Sequence, residues 1–465
     1  MKAIIGSSIE PTLEYADMPY ELLIDTDGKE WKVNSYMVNG GLIDTDMAER
    51  YFGLFGVRDA QNDWNDNVSQ KLRILILYNW TNRNIMNMAY MFYGCTNLHG
   101  LYLVKTKIET VTDMTCMFYG CTTLNTLSLG TNFNTSKVEN MMGMFGNCRN
   151  LAIEPLMENF NTSNVKNMAY LFYGCSSFTT LDLSNFDTSA VTAMAWMFRD
   201  CSALTELYLG ENFNTSNVTN MAYMFANCRS IYPLTLGEKF DTSNVTNMLY
   251  MFYGCNRINS LNLSKFYTRV VTNMQSMFDG CGGLTTLDLS SFDTGVVTTM
   301  NSMFYGCTNL TGLTLGTKFN MSSVKNAAYM FRNCRSITTL TLGANFDTSV
   351  ITDMYQMFFE CRKLTTLDLS FDTSNVTNMK NMLTGCDSIT TLILGAKFVF
   401  PSDYTASNMM SFCPIAECKV TLNESAYDIL TKTDLAPYTI SPSSWNEFGG
   451  NVQEITVNPL IVEET

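Results

Sequence analysis

The chain has 465 residues and a formal net charge of −14, yet only 15% of its side chains are charged. An acidic balance argues against a nucleic-acid partner, which needs a basic face, and against anionic membrane surfaces. No apolar run reaches the roughly eighteen residues that a membrane-spanning helix needs, so no membrane insertion is expected. Met1 to Pro19 carries Glu10, Glu14 and Asp17 and lacks the apolar core of an export signal.

Residues 1–71 follow no repeat and read as an N-terminal cap or attachment domain. Tyr20 to Asp25 and Lys29 to Val33 flank Thr26-Asp27-Gly28, which predicts a hairpin. Asp44-Thr45-Asp46-Met47 predicts a cap before a helix reaching about Phe55, and Asp59 to Gln70 reads as a polar linker. Asp25, Asp27 and Glu30 cover only part of a calcium loop, so a plain turn is the reading there.

Residues 72–398 are organised by one recurring stretch, seen in Asn247-Met248-Leu249-Tyr250-Met251-Phe252-Tyr253-Gly254-Cys255. Its cysteine recurs every 25 to 27 residues, from Cys95 to Cys386. Such a period marks a solenoid. Leu72 to Trp80 reads as an incomplete first unit. Within a unit, Met248, Met251, Phe252 and Cys255 fall at i, i+3, i+4 and i+7, which predicts a short helix with one apolar stripe. Asn247 stands at its N-cap and Gly254 at its end. Ile258 to Leu263 then alternates like a short strand with one buried face. Asp241-Thr242-Ser243-Asn244-Val245 predicts a turn that returns a valine to the core. Length varies only in the loop after the strand. Glu154, Pro155 and Pro233 predict local irregularity, because proline cannot donate to a ladder.

The pattern Met-x-x-Met-Phe-x-x-Cys-x-x-Leu-x-x-Leu-x-Leu with Phe-Asp-Thr-Ser-Asn-Val-Thr resembles the BspA-like leucine-rich repeat of bacterial surface proteins, also found in mycoplasma lipoproteins. The resemblance implies an α/β repeat: a leucine-rich-repeat-like solenoid of about 12 units, each a short helix plus a short strand, with a parallel stacked sheet and non-repeat caps. It also implies surface, adhesion or protein–protein interaction roles without one shared ligand. The family needs export, and the missing signal leaves three routes: a signal removed, a non-standard path, or a virion assembled in the cytoplasm. The reduced-looking cysteines favour a phage head or tail component, with a bacterial cell-surface adhesin as the alternative.

Residues 399–465 leave the pattern and read as a C-terminal cap or attachment segment. Leu422 to Thr431 predicts a helix, and Val452 to Val462 one or two strands. Twelve of the 15 cysteines share one repeat slot and read as buried thiols rather than a disulfide ladder. Cys413 and Cys418 could pair, and Cys116, on the outward side, reads as the most reactive thiol. His99 is the only histidine, which leaves no second histidine for a catalytic or zinc constellation. Asp182, Asp288 and Asp368 read as a solvated face. No cofactor, metal or catalytic site is expected.

One feature rises above structure. Slots two and five after the first methionine of each unit share a face away from the core stripe. They hold Tyr90, Tyr93, Tyr119, Tyr170, Tyr173, Trp196, Tyr223, Tyr250, Tyr253, Tyr305, Tyr329 and Phe359. Such a strip could stack sugar rings or meet a protein; alternatively the rings pack sideways and bridge adjacent turns. The strand-side face is richer in threonine: Thr126, Thr180, Thr286, Thr339, Thr366 and Thr391. The expected partner is protein or a cell-surface glycan at the outer surface of a virion or cell, with a terminal segment joining a larger assembly.

Overall fold

A computed structural model describes residues 86–398 apart from 105–107, 131–132, 153–156, 158–159, 344–345 and 395–396. It also describes six strands outside that range, given below. The chain divides into two compact units, Met1–Phe240 and Asp241–Thr465. Each is a parallel β-solenoid.

The first unit holds β1 (Lys2–Ile4), β2 (Leu22–Ile24), β3 (Glu30–Lys32), β4 (Ile74–Tyr78), β5 (Gly100–Val104), β6 (Thr126–Ser128), β7 (Thr180–Asp182) and β8 (Glu206–Tyr208). β2 and β3 pair antiparallel, as the hairpin signal predicts. β4 pairs parallel with β5 and β5 with β6, so the incomplete first unit belongs to the stack, and β1 closes its edge antiparallel. β7 pairs parallel with β8. The second unit holds β9 (Thr286–Leu289), β10 (Gly312–Leu315), β11 (Thr339–Leu340), β12 (Thr366–Leu369), β13 (Thr391–Leu394), β14 (Cys418–Asn423) and β15 (Val452–Asn458). β9 and β10 pair parallel, and β11 through β15 form one parallel sheet in chain order. Alternation is as expected in β9, where Leu287 and Leu289 are buried while Thr286 and Asp288 are exposed, but the strand predicted over Ile258 to Leu263 does not form.

The helices predicted for the repeats are absent: no residue of a described repeat is α-helical. The stretch runs as overlapping turns instead. Met251 N–H donates to Met248 O at 3.1 Å, Tyr253 to Tyr250 at 3.1 Å and Cys255 to Phe252 at 3.2 Å. The alternate amides point sideways into the next coil: Met248 donates to Asn273 O at 3.0 Å, Tyr250 to Gln275 O at 2.9 Å, Phe252 to Met277 O at 2.9 Å and Gly254 to Asp279 O at 2.7 Å. Tyr250 and Gly254 have φ of 54° and 68°, the positive value a type II turn requires at its third residue. Gly254 therefore turns the chain rather than ending a helix. A helix of two turns is marginal because nucleation is costly; stacked coils supply partners that the helix would have to find within itself. Asn247 caps no helix, but its Oδ1 accepts from Leu249 N–H at 3.1 Å, and its backbone bridges Asn273. The apolar stripe survives the change, because Met248, Met251, Phe252 and Cys255 are all fully buried.

Each coil presents the same residues to the next, so the core is a set of columns. Phe92, Phe118, Phe145, Phe172, Phe198 and Phe225 stack in the first unit at centroid spacings of 5.5 to 6.0 Å. Phe252, Phe278, Phe304, Phe331 and Phe358 do so in the second at 5.3 to 5.9 Å. The repeat cysteines are free and buried. Each described thiol hydrogen bond goes to the phenylalanine carbonyl one coil back, as in Cys121 to Phe92 at 3.0 Å and Cys307 to Phe278 at 3.2 Å. Burial pushes such thiols well above their ordinary range, as at Cys175 and Cys334.

The Asp-Thr-Ser-Asn-Val segment makes the expected turn, with Ser243 N–H donating to Asp241 Oδ1 at 2.8 Å. It also does more. Its threonine is buried and binds the next coil twice. Thr268 Oγ1 donates to Asp293 O at 2.8 Å and accepts from Asp293 N–H at 2.8 Å. Thr135 does the same with Asn161, at 2.9 and 2.8 Å. These hydroxyls satisfy part-buried backbone groups that no strand pairs.

Some expectations meet the structure only in part. Leu422 and Asn423 lie in β14 rather than a helix. The predicted helix near 44–55, Glu154, Pro155, and the pairing of Cys413 with Cys418 fall outside the described residues. No strand is present around Pro233.

Candidate aromatic contact face

Slots two and five are held by the turns just described, and the first adopts positive φ in coil after coil: Tyr90 58°, Tyr170 60°, Trp196 65°, Tyr223 58°, Tyr250 54° and Tyr329 60°. A bulky residue there costs about 1–2 kcal/mol. The sideways backbone bonds and the ring contacts hold it in place. Tyr90 is 38% exposed, and the other eleven predicted strip residues are half-buried.

In the first unit the rings run nearly without a break. Tyr93 stacks on Tyr119 at 5.5 Å. Tyr119 then stacks on Tyr173 at 6.4 Å, across a coil whose two slots are Gly143 and Gly146. A Cβ at Gly146 would collide with the Tyr119 ring, so the glycine makes room for it. Tyr170 stacks on Trp196 at 5.2 Å and Trp196 on Tyr223 at 4.2 Å. Arg199, in slot five of its coil, lies 4.0 Å over Trp196 and 4.8 Å over Tyr223. Its charge is answered by Asp200, with Nε to Oδ2 at 3.3 Å.

In the second unit the file is interrupted. Tyr250 and Tyr253 meet edge-on at 5.3 Å. The next coil has Ser276 and Asp279 in the two slots, and the one after has Ser302 beside Tyr305. Burial pushes the Asp279 carboxyl up to about 7, against the Ser276 hydroxyl bond that lowers it. Beyond it Tyr305 meets Tyr329 at 6.5 Å and Tyr329 meets Tyr355 at 5.2 Å. Arg332 lies 5.5 Å over Tyr305, 5.7 Å over Tyr329 and 4.5 Å over Phe359. Burial raises the phenols of Tyr90, Tyr119, Tyr170 and Tyr329, so they stay protonated donors at neutral pH.

Sequence reasoning placed the twelve aromatic residues but missed Arg199, Arg332, Asp279 and Tyr355. The first three were findable, since each occupies slot five of its coil. On the strand side the threonines align by register, Thr339 with Thr366 and Thr366 with Thr391.

The other flagged groups have structural roles. His99 is exposed, with Nδ1 2.7 Å from Asn97 O. Asp182, Asp288 and Asp368 each brace a loop by accepting from the serine two residues on, at 2.8, 2.9 and 2.8 Å. Cys116 is half-buried. Burial and the Asp113 charge push its thiol up to about 11, which makes it a poorer nucleophile than an ordinary cysteine. Among the described residues no three His, Cys, Asp or Glu side chains gather as metal ligands, and no helix is long and apolar enough to cross a membrane.

No curated protein matches the chain. Solved structures similar to it include a leucine-rich repeat protein from Bacteroides ovatus, at 17% identity and TM-score 0.48, covering 79% of this chain and 91% of that one. A leucine-rich repeat protein from Eubacterium ventriosum has 15% identity and TM-score 0.30, covering 61% and 84%. A leucine rich cell surface protein from Faecalibacterium prausnitzii has 12% identity and TM-score 0.27, covering 84% and 80%. The family described as "Mycoplasma protein of unknown function, DUF285" matches residues 62–154, 131–233, 235–342 and 338–411. Those matches tile most of the chain with the same repeats that carry its resemblance to BspA-like proteins, and the chain belongs to the DUF285 family.

Proposed function

We propose that this is a non-enzymatic surface protein, carried on the outside of a cell or virion, that uses the aromatic face of its turn segments to hold a protein or a cell-surface glycan. The observation that supports this reading is the half-exposed ring file on a backbone fixed by coil-to-coil bonds. Rings with an apolar body and a polar tip recognise partners at low entropic cost when they are already held in place. The terminal segments then join the chain to its carrier.

A glycan array and a pull-down from host surface extract test it with Tyr170→Gly/Trp196→Gly and Tyr250→Gly/Tyr253→Ala. Glycine suits the positive-φ slots, so the backbone is spared. Binding should fall while the β-rich circular dichroism persists. Unchanged binding with a lower melting temperature would reduce the rings to packing. Immunogold labelling of the native source separates virion from cell.

A further inference from the structure

The two arginines of the ring file differ in one respect. Arg199 is followed by Asp200, which pairs with it. Arg332 is followed by Asn333, in the same backbone conformation, with φ of 62° at both residues. Among the described residues no carboxylate lies within ion-pair distance of Arg332. The nearest acid in chain register, Glu360, is held by Arg335 at 2.7 Å and Arg362 at 3.2 Å. Nε is buried without a hydrogen-bond partner in both arginines; what sets the second site apart is that Asn333 Oδ1, where Asp200 stands in the first, is unpartnered as well. Among the described residues no group is hydrogen-bonded to the terminal nitrogens of Arg332, and the residue is half-exposed.

We propose that Arg332, with the rings of Tyr305, Tyr329 and Phe359, binds the carboxylate of an acidic sugar residue, a sialate or a uronate, within an otherwise neutral glycan. The guanidinium fork matches a planar carboxylate. The flanking rings offer flat apolar faces to the C–H side of a pyranose. An unneutralised, partly desolvated cation on a chain of net charge −14 attracts a single carboxylate at close range, whereas a densely charged polyanion is repelled by the rest of the surface. Because the site lies within the ring file, it requires that file to be a contact surface.

The test is calorimetric titration of the full chain with sialyllactose, a glucuronate-terminated disaccharide, lactose, a hexaglutamate peptide and inorganic sulfate. An acidic sugar should bind at least about tenfold tighter than lactose, and weaken with salt. Arg332→Gln should remove that preference. Asn333→Asp should remove it too, by supplying the internal carboxylate that Asp200 supplies to Arg199, while leaving the rings and fold in place. Arg199→Gln should leave it intact. Equal binding of lactose, preference for the peptide, sulfate binding as tight as the sugar, an unaffected Asn333→Asp variant, or no binding of either acidic sugar would each overturn the proposal. If lactose binds as tightly as the acidic sugars and that binding is lost in Tyr170→Gly/Trp196→Gly, the contact-face reading stands and only the Arg332 site falls.

Discussion

The ring file of the first unit and that of the second are built on the same backbone yet do different physical work. In the first, Tyr119 reaches across two glycines to Tyr173 and Trp196 is sandwiched between Tyr170 and Tyr223, with Arg199 neutralised at its side. In that file the arginine's charge is met from within the chain, although its Nε makes no hydrogen bond. In the second, Ser276, Asp279 and Ser302 interrupt the rings, and Arg332 and Asn333 keep unpaired polar atoms. Rings stacked on rings add stability to the first face; the polar slots of the second leave its rings fewer partners within the chain.

The sharpest way to break this contrast is Trp196→Gly. It removes two ring stacks and a guanidinium contact, and should cost about 3 kcal/mol in urea unfolding. Tyr329→Gly, in the looser file, should cost about half as much; equal costs would erase the distinction. The buried threonine ladder, common to both units, serves as the control. Thr135→Val and Thr268→Val each strand a backbone N–H and C=O and should cost roughly 2–3 kcal/mol alike, with serine restoring most of it.

A smaller effect should come from pH. Asp279 binds its proton more tightly folded than unfolded, since burial raises its carboxyl from 3.8 to about 7. The folded state thus holds more protons across that window, so stability falls as pH rises through it and is lowest above it. Asp279→Asn should flatten the fall, gaining on the order of 2 kcal/mol at pH 8 after allowance for solvent screening. Denaturant midpoints at pH 5 and pH 8 measure it. The smallest change is Asn333→Asp, expected to gain about 0.5–1 kcal/mol by forming a half-exposed ion pair; a loss would mean that Arg332 has no room for an internal carboxylate.

What the sequence disclosed follows from which properties one coil determines by itself. The stripe Met248, Met251, Phe252, Cys255 was legible because an i, i+3, i+4, i+7 pattern buries one side whether the backbone is a helix or a run of turns. For the same reason the pattern could not tell the two apart. The decision lies in the sideways bonds of Tyr250 and Phe252, which need the next coil. The threonine of the Asp-Thr-Ser-Asn-Val turn reads only as a turn former, because bonds such as those of Thr268 to Asp293 are likewise invisible within one repeat. The aromatic slots were legible by position, but a search for rings alone passed over Arg199 and Arg332. The contrast of Asp200 with Asn333 carried no meaning until positive φ set each beside its arginine.

The sideways bonds of the turn segments all run in one sense. Met88, Tyr90, Phe92 and Gly94 donate forward to Asp113, Thr115, Met117 and Tyr119, and Met248 to Gly254 do likewise toward Asn273 to Asp279. Peptide dipoles of about 3.5 D therefore add along this wall instead of cancelling as they do in most sheets. Its leading edge offers donors and its trailing edge acceptors. Two such walls brought together by like edges would meet donor against donor, whereas unlike edges would match and could repeat without closing. Edge-to-edge contact between two such walls would therefore match only head-to-tail.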